Sequence, residues 1–588
     1  MSIFIIAALA VVAVLVIGLV GLVLYLKRAA GGSLVWPKPA MPGPDRAAFE
    51  AHLRSQRSEV FVDTAKSWGP TFTLQDVVVT ADASLAARVF SAAEHCITRS
   101  VLYRLLGTIC PAFDGVLSKA GEEWTARRKL FAQQFRAKTA DDLADIIAQE
   151  THTMAAIAVL LQTPAADRGA LVDSFAQQSP LTSGRVQALR GAAHWDAGAK
   201  VPTGAADPVS GVIPEALPRV DYARWRATPV GVDPSTAEDA LSMCKWIAQR
   251  TLLAWTLGLD PELPLTRCLA REWDLYMRIL QGAIPYVSAV GKAKLYWALW
   301  RCVWRQQALV RDILAQHGAE VSKSSFLYAM REAGWSLWDI TSELNHIHGA
   351  HKAVALVTAC SLHELSQPSA AEWRRRLVAQ LSEARGPDPL AVLPRSLVDA
   401  DASDSIARAV LHESLRHHVV SFGVMRKLGC PEAVSVRAGP PAPGCDAPAQ
   451  CPFSQASVDG PPAGSAFAAT SETQLVGLPV DSEVQVWLHA LHHDPGAWGD
   501  SAGTWDPARW TNGAADEPAA KASFMPFLTG RRPCAGQPIA RREWLSMVSV
   551  LLLDWDFQVS LRGPLRKLPD MFAGIDGPVP YTLRPVRA

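Results

Sequence analysis

The stretch of this 588-residue chain with the most specific chemistry is Phe527 to Gly536, which reads F-L-T-G-R-R-P-C-A-G. Cys534 sits among turn formers, with Gly530 before it, Pro533 beside it and Gly536 just after. Arg531 and Arg532 lie upstream, and a helical pattern follows through Ala540, Glu543, Trp544 and Met547. A thiolate needs nearby positive charge or backbone N–H groups to stay ionised. A cysteine just before a helix N-terminus gains both from the orphan N–H groups and the helix dipole. That setting suits an axial metal ligand, whereas a free cysteine on its own is usually buried and inert. Two further pairs have usable spacing. Trp124 and Arg128 are four apart in the helical stretch Gly121 to Phe135 and so share a face; Glu413 and Arg416 are three apart and can form an ion pair.

Several elements must position these groups. The chain is 49% apolar with net charge +1, ample for a large core and without a nucleic-acid signature. Its ten cysteines contain no C-x-x-C pair, so neither a zinc pattern nor a disulfide framework emerges, and a reducing compartment is the simplest reading. Ile3 to Leu26 contains no charged residue and is long enough to span a bilayer, with Lys27 and Arg28 at its end. Residues 1–28 therefore read as a transmembrane anchor that leaves the rest of the chain in the cytosol. Residues 29–44 form a stiff proline-rich linker, and 45–588 the globular part. In the globular part, Thr71–Leu74 and Asp76–Thr80 read as short strands, and Gln474–Val480 with Glu483–His489 as a hairpin. Asp141–Leu161, Ala237–Gly258 and Ser336–Gln367 read as helices, the last as one long helix. Gly, Pro and Ala-rich segments near 178–235 and 431–471 lack periodicity and read as insertions.

The spacing F-x-x-G-x-R-x-C-x-G followed by A-x-x-E resembles the haem-binding loop of the cytochrome P450 family. Phe527, Gly530, Arg532, Cys534, Gly536, Ala540 and Glu543 fall on that pattern. The resemblance implies a mainly α fold with a small β lobe, preceded here by the transmembrane helix. It makes Cys534 the proximal thiolate of haem b. It makes Glu413 and Arg416 a buried ion pair completed by Arg509, and it brings Trp124, Arg128 and Arg426 to the haem propionates. His492 and His493, in a segment similar to the family's H-x-D-P turn, read as loop scaffold.

The resemblance also places Gly349-Ala350-His351-Lys352-Ala353 on the family's Ala-Gly-x-acid-Thr segment. Gly349 and Ala350 supply the small residues needed beside a flat cofactor. The acid and alcohol positions hold Lys352 and Ala353, so neither usual proton-handling group is present. His346 shares a helical face with Gly349, Ala350 and Ala353 and is a candidate proton carrier. The function implied is a membrane-anchored monooxygenase that hydroxylates or epoxidises an apolar small molecule, with electrons from NADPH through a partner reductase. Eukaryotic proteins with this anchor-plus-proline layout favour the endoplasmic reticulum. The missing pair motivates an alternative, a hydroperoxide-consuming isomerase, dehydratase or peroxygenase. A low-turnover haem-binding protein is a third reading.

Overall fold

The computed structural model describes most of residues 59–586; residues 1–58, 100–114, 194–237, 284–288 and 438–472, with some shorter stretches, lie outside the described residues. The anchor Ile3–Leu26 and the proline-rich linker lie outside them. Among the described residues no helix is long and apolar enough to cross a membrane.

The architecture is mainly helical with a small sheet lobe. The longer strands are β1 Thr71–Leu74, β2 Val77–Thr80, β3 Ile97–Arg99, β4 Val424–Leu428, β5 Glu432–Arg437, β6 Thr473–Leu478 and β7 Glu483–Val486, and among the described residues four two-residue strands follow after residue 557. Five of them form one sheet in the order β1-β2-β7-β4-β3, in which β2 and β7 run parallel. The helices that frame the site are α1 Gly121–Gln134, α2 Ala144–Gln162, α3 Ala240–Leu257, α4 Pro264–Ala283, α5 Ala289–His317, α6 Leu337–Gly349, α7 His351–Leu365, α8 Ile406–His417 and α9 Gln537–Leu553. Asp239 caps α3 by accepting from the backbone N–H groups of Leu241 and Ser242, and Gly258 ends it in a left-handed conformation (φ 66°). Helices α2, α3, α7 and α9 bury Ile147, Met154, Ile247, Leu253, Leu356, Leu362, Leu545 and Met547 in one apolar core. The Trp544 indole N–H donates to Ser361 Oγ at 2.9 Å and so ties α9 to α7.

Three expectations are corrected. The long helix expected over Ser336–Gln367 is two helices, with Ser336 as N-cap and a break at Ala350. There His351 Nδ1 donates to the His348 carbonyl, and the Ala350 and Ala353 N–H groups reach back only three residues, to Ile347 and Ala350. Bonds of that reach tighten the turn toward 3-10 geometry. The hairpin expected from Gln474–Val480 and Glu483–His489 does not form. Instead β6 pairs with β5, while β7 pairs with β2 and β4. Between them Asp481 turns with φ 73°, donates its N–H to the Leu428 carbonyl at 2.8 Å, and meets Lys427 Nζ at 2.7 Å. These contacts steer the chain onto β4. Finally, the segments read as aperiodic insertions contain regular structure at their edges, a helix over Ser183–Ala193 and the strand β5.

Candidate functional site

The loop before α9 is folded by its own backbone. The Cys534 N–H donates to the Phe527 carbonyl at 2.8 Å, closing the turn, and the Leu528 N–H donates to Met525 at 3.0 Å. Leu528 has φ 60° and Gly530 φ 73°, the left-handed region that side chains disfavour. At Gly530 a Cβ would lie 1.9 Å from the Phe90 carbonyl oxygen, which also accepts the Arg531 N–H at 3.2 Å. Only glycine lets the loop dock there.

Cys534 is an exposed residue, yet protein surrounds its sulfur densely enough that desolvation is the largest influence on the thiol. Burial pushes the thiol above its ordinary value, while hydrogen bonds from the backbone of Gly536 and Gln537 and the charge of Arg128 pull it down. Those N–H groups belong to the start of α9, as the cysteine's place before a helix implied.

Trp124, Arg128 and Arg532 meet this loop. Arg128 Nη2 donates to the Pro533 carbonyl at 2.9 Å. The Arg532 guanidinium lies over the Trp124 ring at 4.1 Å and donates to the Lys119 carbonyl at 3.1 Å. Arg426 is buried in β4, donates to the Met425 carbonyl and lies 5.5 Å over the Phe90 ring, beside the carbonyl that holds the loop. Phe527 carries Arg541 over its ring at 5.8 Å, and Gly536 lies against Cys534 Sγ and the Phe135 ring.

Glu413, Arg416 and Arg509 come together below the loop. Arg416 makes a two-pronged pair with Glu413 at 2.9 and 2.7 Å, and Arg509 Nε lies 3.5 Å from Glu413. The Trp510 indole and the Asp506 N–H also donate to Glu413. Arg416 donates onward to the carbonyls of His492, Ala502 and Thr504. The buried carboxylate and guanidinium are thus fully engaged, and they fix the meander over residues 492–510.

On α6 and α7 the burial pattern is informative. Ala350 is exposed although Ile347, Gly349 and His351 are buried, and half-buried His346, Ala353 and Val354 continue the stripe. Ala350 and its half-buried neighbours thus leave a narrow accessible strip on helices otherwise packed in the core, while the His346 ring itself is buried. Lys352 is buried off this stripe, and Gly349 lies beside Met277. His348 stacks on Trp273 with centroids 3.6 Å apart and bonds Thr256. His351 is held by the last turn of α6, and burial followed by the Lys352 charge lowers it to about 3.

Sequence reasoning missed an acidic group on α6. Glu343 is buried, accepts from Arg127 Nη1 at 2.8 Å and from the Val116 N–H at 2.9 Å, and its Oε2 lies 3.8 Å from His346 Nδ1. Arg127 also pairs with Asp339. Burial is the largest influence on Glu343 and, against the pull of Arg127, pushes its carboxyl up to about 7. The signal was available: Asp339, Glu343 and His346 follow one another at spacings of four and three in an apolar helix. His346 in turn fits against Gly115, where a Cβ would lie 2.2 Å from Nδ1.

Residues 469–583 match the family model described as cytochrome P450. Among curated relatives, cytochrome P450 714C2 of Oryza sativa subsp. japonica is 36% identical over 94 residues, 16% of this chain and 18% of that protein. Cytochrome P450 734A6 of the same plant is 36% identical over 97 residues, again 16% and 18%. The 11-oxo-beta-amyrin 30-oxidase of Glycyrrhiza uralensis is 35% identical over 83 residues, 14% of this chain and 16% of that protein. The matched part of the chain thus spans less than a fifth of the length of these relatives. The family implies haem iron. The residues fit that group: a cysteine with backbone N–H groups on its sulfur, two arginines and a tryptophan around the loop, and the small, accessible Ala350 on the central helix. The mainly helical architecture with small sheets fits the fold of the family whose model matches residues 469–583.

Proposed function

We propose that this chain is a haem-thiolate monooxygenase that hydroxylates or epoxidises an apolar small molecule with electrons from NADPH through a partner reductase. The observation that carries the reading is the Cys534 loop, closed by the Phe527 carbonyl and charged from outside by Arg128 and α9. When bound, haem iron with a thiolate partner supplies the oxygen chemistry, and the thiolate favours O–O cleavage. Cys534 is the ligand. Trp124, Arg128, Arg426 and Arg532 hold the carboxylates of the cofactor, and Glu413, Arg416 and Arg509 keep the loop in register. Membrane attachment through Ile3–Leu26, with the catalytic part in the cytosol at the endoplasmic reticulum, belongs to the same reading.

Proton supply is where this chain departs from its relatives. Ala353 has no exchangeable proton, and Lys352 is buried off the accessible stripe. Glu343, with its carboxyl near 7, is half protonated at neutral pH, and His346 stands beside it on the stripe. That pair can hold a proton, and its passage between Glu343 Oε2 and His346 Nδ1, 3.8 Å apart, takes one bridging water or a small side-chain shift. Substituting for the missing acid and alcohol is its proposed role.

A second reading, consumption of a hydroperoxide, is favoured by the same absence at Lys352 and Ala353, because a substrate that is already reduced needs less proton delivery. An anaerobic assay separates the two. Protein without reductant is mixed with a lipid hydroperoxide, and loss is compared with a Cys534→Ala control. Negligible Cys534-dependent loss, together with turnover on NADPH and reductase, is the expected result. Rapid Cys534-dependent conversion to a defined product would replace the monooxygenase reading by the peroxide reading.

A further inference from the structure

A second group of ligating side chains lies away from Cys534, at the far end of α7. Glu364 is near the C-terminus of α7, about 20 Å of helix beyond Ala350 at 1.5 Å per residue. His417 is the last residue of α8, and His418 follows it. One ligand atom from each of Glu364, His417 and His418 lies within 4.8 Å of the other two. His418 Nε2 stands 2.8 Å from Glu364 Oε1.

The backbone explains why adjacent histidines converge. Consecutive side chains on a continuing helix diverge by roughly 100°. His418 leaves the helix at φ −109°, ψ 68°, while its N–H still donates to the Ser414 carbonyl at 2.8 Å. The two imidazoles therefore meet nearly at right angles with centroids 4.7 Å apart. A third ring, His493, packs 5.4 Å from His417. Its Nδ1 bonds the His489 carbonyl at 2.9 Å. A carbonyl only accepts, so Nδ1 carries the proton and Nε2 the lone pair in the neutral ring. A hydrogen bond of this kind commonly orients an imidazole ligand.

We propose that Glu364, His417 and His418, with His493 alongside, form a binding site for one divalent transition-metal ion of the zinc class. Two or three imidazoles and a carboxylate suit zinc, cobalt or nickel, and are a poor set for calcium or magnesium, which take oxygen ligands. Zinc–ligand distances of about 2.0–2.1 Å in a tetrahedron put ligand atoms roughly 3.3 Å apart. The 2.8 Å His418–Glu364 contact would widen by about 0.5 Å, and the widest separation in the trio would close by up to about 1.5 Å, both within the reach of side-chain rotation. Glu364 and His417 are half-buried and His418 is buried, so an ion can enter from solvent and be partly desolvated once bound. The bound ion would clamp the end of α7 to the end of α8, next to Arg416, and to the turn that carries His493. The site does not depend on the reading of Cys534.

The test uses the full-length, untagged, haem-loaded protein, dialysed against a chelator and then titrated with Zn²⁺ or Co²⁺. One equivalent should bind, and Co²⁺ should show the intense visible absorption of a low-coordinate imidazole site. His417→Ala should weaken Zn²⁺ binding at least tenfold while leaving the reduced carbon-monoxide spectrum unchanged, and Glu364→Gln should weaken it less. If the wild-type Co²⁺ spectrum stays that of the aquo ion, or His417→Ala binds Zn²⁺ as tightly as wild type, the site does not exist and the His418–Glu364 contact is only a staple between helices. The wild-type cobalt spectrum decides the matter even if the variants do not fold.

Discussion

Glu543, nearly two turns into α9 beyond Cys534, gives the sharpest quantitative prediction. Its side chain is buried, Oε1 has no hydrogen-bond partner among the described residues, and desolvation alone pushes its carboxyl up to about 8. In the unfolded chain the same group titrates near 4.5. Between those values the unfolded state releases a proton that the native state keeps. The stability Glu543 contributes is therefore complete below about 4.5 and declines as pH rises, until the native group itself ionises near 8. At about 1.4 kcal/mol per pH unit, moving from about pH 5.5 to 7.5 removes on the order of 3 kcal/mol. Glu543→Gln keeps the shape and removes the titration. Thermal unfolding of wild type and variant should be followed at both pH values by haem absorbance. With an unfolding entropy of about 2 cal/mol/K per residue, a domain of several hundred residues shifts by about 1 °C per kcal/mol. The wild-type Tm should thus fall by about 3 °C more than that of the variant. Other titrating groups act on both proteins and cancel in the comparison. Equal pH dependence in the two proteins would show that Glu543 is ionised and solvated in the native state, and would refute the argument.

Further predictions follow from other contacts. Gly530→Ala adds a Cβ against the Phe90 carbonyl at φ 73°, so it should yield protein with normal far-UV circular dichroism but little bound haem; full haem loading would show that the loop has room to move. Arg416→Ala leaves Glu413 buried without its main partner and should cost about 3–5 kcal/mol, whereas the same change at exposed Arg375 should leave the chemical unfolding curve little changed. Glu343→Gln should lower product formed per NADPH consumed and increase peroxide release at an unchanged reduced carbon-monoxide spectrum; unaltered coupling would remove Glu343 and His346 from proton delivery.

The legible part of the chain was the part whose function depends on local sequence. Cys534, Gly530 and Phe527 make their loop from contacts within ten residues and one docking carbonyl, so spacing alone exposed them. Glu413 and Arg416 are a single helical turn apart, so spacing allowed a pair, but its burial and its completion by Arg509 came only from the family resemblance. Strand partners were less accessible. Alternation suggested that residues 474–480 and 483–489 face each other, but the choice between β5 and β7 as partner of β6 is made by the turn at Asp481 and its contact with Lys427, which is distant in sequence. The break at Ala350 depends on a side chain, His351, capturing a backbone carbonyl, and no apolar pattern registers that. Glu343 was overlooked because an acid in a helix usually faces solvent; burial and the partner Arg127, more than two hundred residues away, make it unusual. The convergence of Glu364, His417, His418 and His493 joins three separate segments and has no local signature.

The central claim is that Cys534 ligates haem iron as a thiolate. The reduced carbon-monoxide difference spectrum of the purified protein tests it most directly, read beside Cys534→His. The account predicts the thiolate-type band in the wild type and its replacement by an imidazole-type band in the variant. A wild type without the thiolate band, or a variant that retains it, would contradict the account.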